Sequence, residues 1–121
     1  MTGGDTTAAI AAVVEDYFGA WFTGDVERMR RALHPDLAKR GVVDGLLGFN
    51  TAQSMVEATE AGAGTRHDPS KRAIDIHVTH VHGSIATAIV TGPIYVEYVH
   101  LARLDDRWQI VNTLWARAAD T

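Results

Sequence analysis

RAIDIHVTHVHGSIATAIVTGPIYVEYVHLARLDDRWQIVNTLWARA, residues 72–118, is the stretch that decides the fold. Its apolar residues recur with a period of two. The runs RAIDIHVTHV, SIATAIVTG, IYVEYVHLARL and RWQIVNTLWARA are rich in β-branched and aromatic residues, and they read as four strands. His82-Gly83, Gly92-Pro93 and Asp105-Asp106 are the turns between them. Such short connections make successive strands pair antiparallel.

Before this stretch the period is that of a helix. In TTAAIAAVVEDYFGAWFTGD, residues 6–25, Ile10, Val14, Tyr17, Phe18 and Trp21 share one helical face. The predicted helix runs from about Thr6 to Thr23, and residues 1–5 are expected to form a flexible tail. Tyr17 and Trp21 carry a hydroxyl and an indole N–H into whatever that face covers, and such donors require partners. Asp25 caps a short second helix, VERMRRALH, with Val26, Met29 and Leu33 as its buried stripe. His34-Pro35-Asp36 ends it, because proline disfavours a helical conformation in the residue before it. Leu37–Val43 is a short strand, Asp44-Gly45 a turn, and Asn50 or Thr51 the cap of a third helix reaching about Ala61, with Asn50 and Gln53 spaced as a capping box. Residues 62–71, GAGTRHDPSK, are a loop. Helices first and a meander afterwards predict a single α+β domain over 1–121, with three N-terminal helices packed in a curved antiparallel sheet.

Neither parity of the last two strands is cleanly polar. A sheet apolar on both faces needs cover on both, and the simplest second cover is another copy of the chain, so a homodimer through the sheet face is expected. The composition narrows the other partners. The chain of 121 residues has no cysteine, which excludes disulfides, thiol nucleophiles and thiolate metal sites. A formal net charge of −4 disfavours nucleic acid. There is neither a signal-peptide pattern nor an apolar run that spans a membrane, so a cytoplasmic protein is expected. The glycines match no phosphate loop or dinucleotide fingerprint, and no cofactor is predicted.

The order of elements resembles the NTF2-like superfamily. The matching residues are Tyr17, Gly24-Asp25, Leu33-His34-Pro35-Asp36-Leu37 and the closing RWQIVNTLW. HPDLAKRG and WQIVNTLWAR are most similar to the putative lumazine-binding group, a neighbour of the SnoaL-like proteins. The resemblance implies a cone in which the sheet curls around the helices and leaves an apolar pocket at its open end. The superfamily hosts both enzymes and non-catalytic binders. Its ketosteroid isomerases carry a tyrosine seven residues before the glycine of the Gly-Asp turn, and Tyr17 stands in that relation to Gly24. Their catalytic aspartate falls, by ungapped counting, on Gly41, so the resemblance carries over the hydroxyl donor without the base.

The candidate catalytic residues are Tyr17, His34 and His100. His34 either complements the dipole at the end of the second helix or stands at the pocket rim as an acid or base. Lys39 and Arg40 follow it, and strand alternation sends one of them inward, where a cation would bind a carboxylate, phenolate or enolate. Tyr95 and Tyr98 lie on opposite faces. If Ile94, Val96 and Tyr98 face the helices, Tyr98 and His100 point inward. Asn112 then shares a face with Trp108 and Ile110 and needs a hydrogen-bonding partner. The candidate ligand-binding residues are therefore Trp21, Lys39, Arg40, Tyr98, Asn112 and Trp115. His77, His80 and His82 lack the spacing of a metal site, and none is assigned.

These features predict a small-molecule-binding protein with a mainly apolar pocket for an aromatic or polycyclic ligand. One alternative is a cofactor-free cyclase or isomerase that uses Tyr17 as hydrogen-bond donor and a histidine as acid or base. Another is a dimerisation module whose pocket is filled by side chains.

Overall fold

The computed structural model describes residues 3–119. Helix α1 (Gly3–Thr23) and helix α2 (Val26–Ala32) lead into strands β1 (Leu33–Val43) and β2 (Leu46–Asn50). Helix α3 (Ala52–Glu60) and two 3₁₀ turns (Ala63–Arg66, Pro69–Lys71) follow. The chain closes with β3 (Asp75–His82), β4 (Ile85–Thr91), β5 (Tyr95–Leu104) and β6 (Arg107–Arg117). α1 takes in residues expected to be tail, while Met1 and Thr2 lie outside the described residues. Among the described residues no helix is long and apolar enough to cross a membrane.

Local chemistry sets the breaks. Gly24, at φ +76, lets the chain leave α1 in the left-handed region, and the Gly24 and Asp25 amides both donate to the Ala20 carbonyl. The Asp25 carboxylate then accepts from the Arg28 amide and caps α2. α2 ends at Ala32, two residues earlier than the sequence reading placed it, because Leu33 is already extended. The capping box of α3 is Thr51 with Ser54, one residue on from the expected Asn50 and Gln53. Asp44-Gly45 and Asp105-Asp106 all have positive φ, the geometry of a two-residue hairpin that matches strand twist.

The six strands form one sheet in the order β2-β1-β6-β5-β4-β3. The meander is antiparallel throughout, but β1 runs parallel to β6, so the sheet is mixed where a wholly antiparallel one was expected. The hairpin rule governs neighbours in sequence. β1 and β6 meet from opposite ends of the chain and are free of it. The sheet wraps α1, which touches both β3 and β6. Ile10, Val14, Tyr17, Phe18 and Phe22 are buried there against Val90, Val99, Leu101, Trp108 and Ile110. Each large apolar side chain so buried contributes about 1.5–3 kcal/mol relative to exposure.

Two bulges decide which side chains face α1. In β6 His100 pairs with Asn112 and Leu101 with Ile110, so Val111 is an extra residue. Trp108 and Ile110 face inward before it, Thr113 and Trp115 after it, and Asn112 is turned outward. A second irregularity between Val78 and His80 keeps His77, His80 and His82 all exposed. On β5 the inner parity is Tyr95, Glu97, Val99 and Leu101, the reverse of the parity that would turn Tyr98 and His100 inward.

Gly41 lies opposite Trp115 in the parallel pair, and the indole occupies the space a side chain would need. A Cβ at residue 41 would sit 2.4 Å from Trp115 Nε1. Gly41→Ala is therefore expected to displace Trp115 and destabilise the protein by about 1–3 kcal/mol, the usual cost of overpacking. Chemical denaturation followed by tryptophan fluorescence checks this, and an unchanged midpoint would show that the indole packs elsewhere.

Candidate functional site

One turn of α1 and three strands converge on a small cavity. α1 supplies Tyr17, Phe18 and Trp21, β1 supplies Lys39, β5 supplies Tyr95 and Glu97, and β6 supplies Trp115. Asn50, Met55 and Ala58 close the far side. The volume is about 110 Å³. That is smaller than the roughly 150 Å³ of an apolar cavity known to take one benzene ring, and far below the roughly 300–1,000 Å³ of pockets for drug-sized molecules.

Its polar end is a buried trio. The Tyr17 hydroxyl donates to Glu97 Oε2 at 2.7 Å, Lys39 donates to the Tyr17 oxygen, and Lys39 Nζ lies 3.5 Å from Glu97 Oε2. All three are nearly sealed from solvent, at 2% exposure for Tyr17, 7% for Lys39 and 2% for Glu97. Burial, reinforced by the Glu97 charge and hydrogen bond, pushes the Tyr17 phenol well above its ordinary pKa. Burial also lowers the Lys39 pKa, and Glu97 opposes it. The ammonium is ringed by aromatic faces, 5.0 Å from the Tyr17 centroid, 5.5 Å from Trp115 and 6.0 Å from Trp21.

A second cluster of hydrogen bonds holds the wall. The Trp21 indole donates to the Tyr95 hydroxyl at 3.2 Å, and His67 Nε2 meets the same oxygen at 2.8 Å. Tyr95 stands edge-on to Trp115 with centroids 5.5 Å apart. Burial raises the Tyr95 pKa, and the Trp21 bond works against that rise. Two buried polar atoms near the trio are left unpaired, Trp115 Nε1 and Thr113 Oγ1.

The structure thus brings Tyr17, Trp21, Lys39 and Trp115 together and separates them from the other sequence candidates. Of the Lys39–Arg40 pair, lysine points inward, and Arg40 is exposed with its guanidinium 5.1 Å from the Phe49 ring. Tyr98 is 52% exposed on the outer face, where His100 and Asn112 approach each other at 3.4 Å. The bulge at Val111 and the inner parity of β5 put all three there. His34 lies outside both α2 and the cavity, and its Nδ1 accepts from the Asp36 amide.

Glu97 is the polar group the sequence reading left out, and of the two tyrosines on opposite faces of β5 it is Tyr95, not Tyr98, that lines the cavity. Glu97 shares its parity with Val99 and Leu101, and an acid in that apolar row was the available signal. Register explains its position. Gly41, Trp115 and Glu97 form one row across β1, β6 and β5. The carboxylate absent at Gly41 is present two strands away, with Trp115 lying between. Among the described residues no three His, Asp or Glu side chains converge as metal ligands.

The sequence profile of a family described as "Putative lumazine-binding" matches residues 5–116. No curated protein matches the chain. Among solved structures, an NTF-2 like protein of unknown function from Silicibacter pomeroyi superposes with a TM-score of 0.83 at 24% identity, over 97% of this chain and 99% of that one. An NTF2-like protein of unknown function from Methylobacillus flagellatus gives 0.74 at 24% identity, over 98% and 96%. A ketosteroid isomerase-like protein from Erwinia carotovora atroseptica gives 0.63 at 13% identity, over 93% and 96%. At these identities the likeness speaks for the fold alone.

The trio leaves a signature in the pH dependence of stability. Lys39 has a folded pKa below 10.5, so the native state is the first to release that proton, and the Lys39 contribution grows as pH rises toward 10.5. Tyr17 has a folded pKa above 10.0, so its contribution is complete below that pH and is lost as pH climbs past it. Denaturation midpoints from neutral pH into this alkaline range should lose the rising limb in Lys39→Met and the falling limb in Tyr17→Phe. Profiles parallel to wild type in both variants would contradict the arrangement.

Proposed function

The chain belongs to the "Putative lumazine-binding" family and has the NTF2-like fold, and on that premise we propose that it binds a small aromatic molecule in the cavity beside Tyr17. The observation that carries this reading is an open apolar cavity with one charged, hydrogen-bonded end. Aromatic walls from Trp21, Tyr95 and Trp115 suit a planar ring, and Tyr17, Lys39 and Glu97 offer both donors and acceptors to its polar edge. At about 110 Å³ the cavity admits a single ring only with some widening, and a polycyclic ligand would require α3 or the β1–β2 hairpin to give way. An open cavity also weighs against a dimerisation module with a filled pocket.

A second reading, a cofactor-free isomerase or cyclase, draws on one specific observation. Glu97 lies 2.7 Å from the Tyr17 hydroxyl, so a buried carboxylate and a buried phenol are paired at the cavity wall. In that reading Glu97 takes the acid–base role for which the sequence suggested His34 or His100. Turnover lost in Glu97→Gln with ligand affinity retained would favour the enzyme over the binder.

Native mass spectrometry of the purified protein, with fluorescence of Trp21 and Trp115, tests the binding reading. Ala58→Phe adds a ring to the cavity from α3 and leaves the residues of the trio themselves unsubstituted. It is expected to weaken binding of a single-ring probe by at least about tenfold, roughly 1.4 kcal/mol, and to leave the unfolding midpoint nearly unchanged. Unaltered affinity in that variant would remove the cavity from consideration.

For the outer sheet face we propose a homodimer. Tyr98, Leu114 and Ile85 are 52%, 44% and 60% exposed on that face, an apolar surface of the kind that a second copy covers. Sedimentation should show a dimer that Tyr98→Glu with Leu114→Lys converts to a folded monomer. A wild-type monomer at all concentrations would end this proposal.

A further inference from the structure

The chain has two lysines in opposite settings. Lys71 is exposed, whereas Lys39 is buried with its ammonium at the cavity wall among three rings. The hydrogen bonds around Lys39 also have a direction. Nζ donates to the Tyr17 oxygen, and the Tyr17 hydroxyl donates onward to Glu97 Oε2. A proton leaving the ammonium therefore has a continuous path: it passes to the tyrosine oxygen as the tyrosine proton passes to the carboxylate. The result is a neutral amine beside a carboxylic acid, with no charge left stranded in the low-dielectric interior.

A structural ion pair needs neither the relay nor the cavity. Both together describe the surroundings of a nucleophilic amine. Building on the reading of the cavity as a ligand site, we propose that Lys39 captures a small aromatic aldehyde held there and condenses with it to an imine. Nζ, having given its proton through Tyr17 to Glu97, attacks the carbonyl carbon. A C–N bond forms, the C=O π bond breaks, and the alkoxide takes one proton from the attacking nitrogen to give a neutral carbinolamine. Glu97 then returns its proton through Tyr17 to the hydroxyl, and water leaves as the nitrogen lone pair forms the C=N bond. Ammonium and aldehyde become a protonated imine and water, the Glu97 carboxylate is restored beside it, and no oxidant or reductant is needed. Burial, which holds the Lys39 pKa below its ordinary value, favours the free amine that the first step requires. The aromatic walls favour an aryl aldehyde, and the small cavity excludes anything larger than one ring.

The experiment treats the purified protein with benzaldehyde and borohydride at neutral pH and follows intact mass and peptide maps. Benzyl alcohol, which cannot form an imine, serves in parallel as the non-covalent probe read by tryptophan fluorescence. The expected result is one benzyl group per chain, carried by Lys39 in at least about tenfold excess over Lys71. Lys39→Met should abolish the adduct, and should that variant fail to fold, the wild-type peptide map decides alone. Tyr17→Phe interrupts the relay and should slow trapping by about a hundredfold when measured at saturating benzaldehyde, so that any change in affinity drops out. Binding of benzyl alcohol without an adduct, or equal labelling of the two lysines, overturns the imine and leaves the ligand site standing. Binding of neither probe overturns both.

Discussion

A lysine and a glutamate on different strands, joined through one tyrosine hydroxyl on α1, are the constraint around which this interior is arranged. Removing two charges from water costs several kcal/mol per ion, and their attraction offsets that only when the geometry is good and the remaining donors are satisfied. The Tyr17 hydroxyl meets that condition by accepting from Lys39 and donating to Glu97. The arrangement specifies more than it stabilises. α1 must present Tyr17 at one height over the sheet, and β1 and β5 must hold a register that places residues 39 and 97 on the inner face.

The rest of the architecture reads as what that placement requires. Gly24 and Asp25 end α1 one turn past Trp21 and start α2 at once, and β1 enters between its sequence neighbour β2 and the distant β6. Gly41 leaves room for the Trp115 indole against β1, and the Trp115, Trp21 and Tyr17 rings surround the ammonium. The same volume that shields Lys39 is the cavity. Burial of the ion pair and the cavity beside it are therefore two consequences of one aromatic enclosure.

The comparison with the isomerase pattern gains meaning at this level. Counting along the chain found no carboxylate at Gly41 and suggested a pocket without one. Counting across the sheet finds Glu97 in the same row as Gly41, beyond Trp115. Strand registry, invisible along the chain, sets the Glu97 carboxylate beside the Tyr17 hydroxyl.

The sequence by itself determined the kinds and order of the helices and of five of the six strands, because helix and strand periods, caps and turn residues act over a few positions. The short β2 (Leu46–Asn50), with too few residues to show a period, did not read as a strand. The sequence also singled out Tyr17, Trp21, Lys39 and Trp115, whose residue types stand out locally. Only the tertiary structure decided that they meet, that Glu97 completes them, and that Tyr98, His100 and Asn112 face away. The physical reason lies in the bulge at Val111 and the parallel seam between β1 and β6. Inward and outward alternate with every residue of a strand, so a single inserted residue exchanges the faces. Which residue is inserted depends on pairing between strands that are distant in sequence.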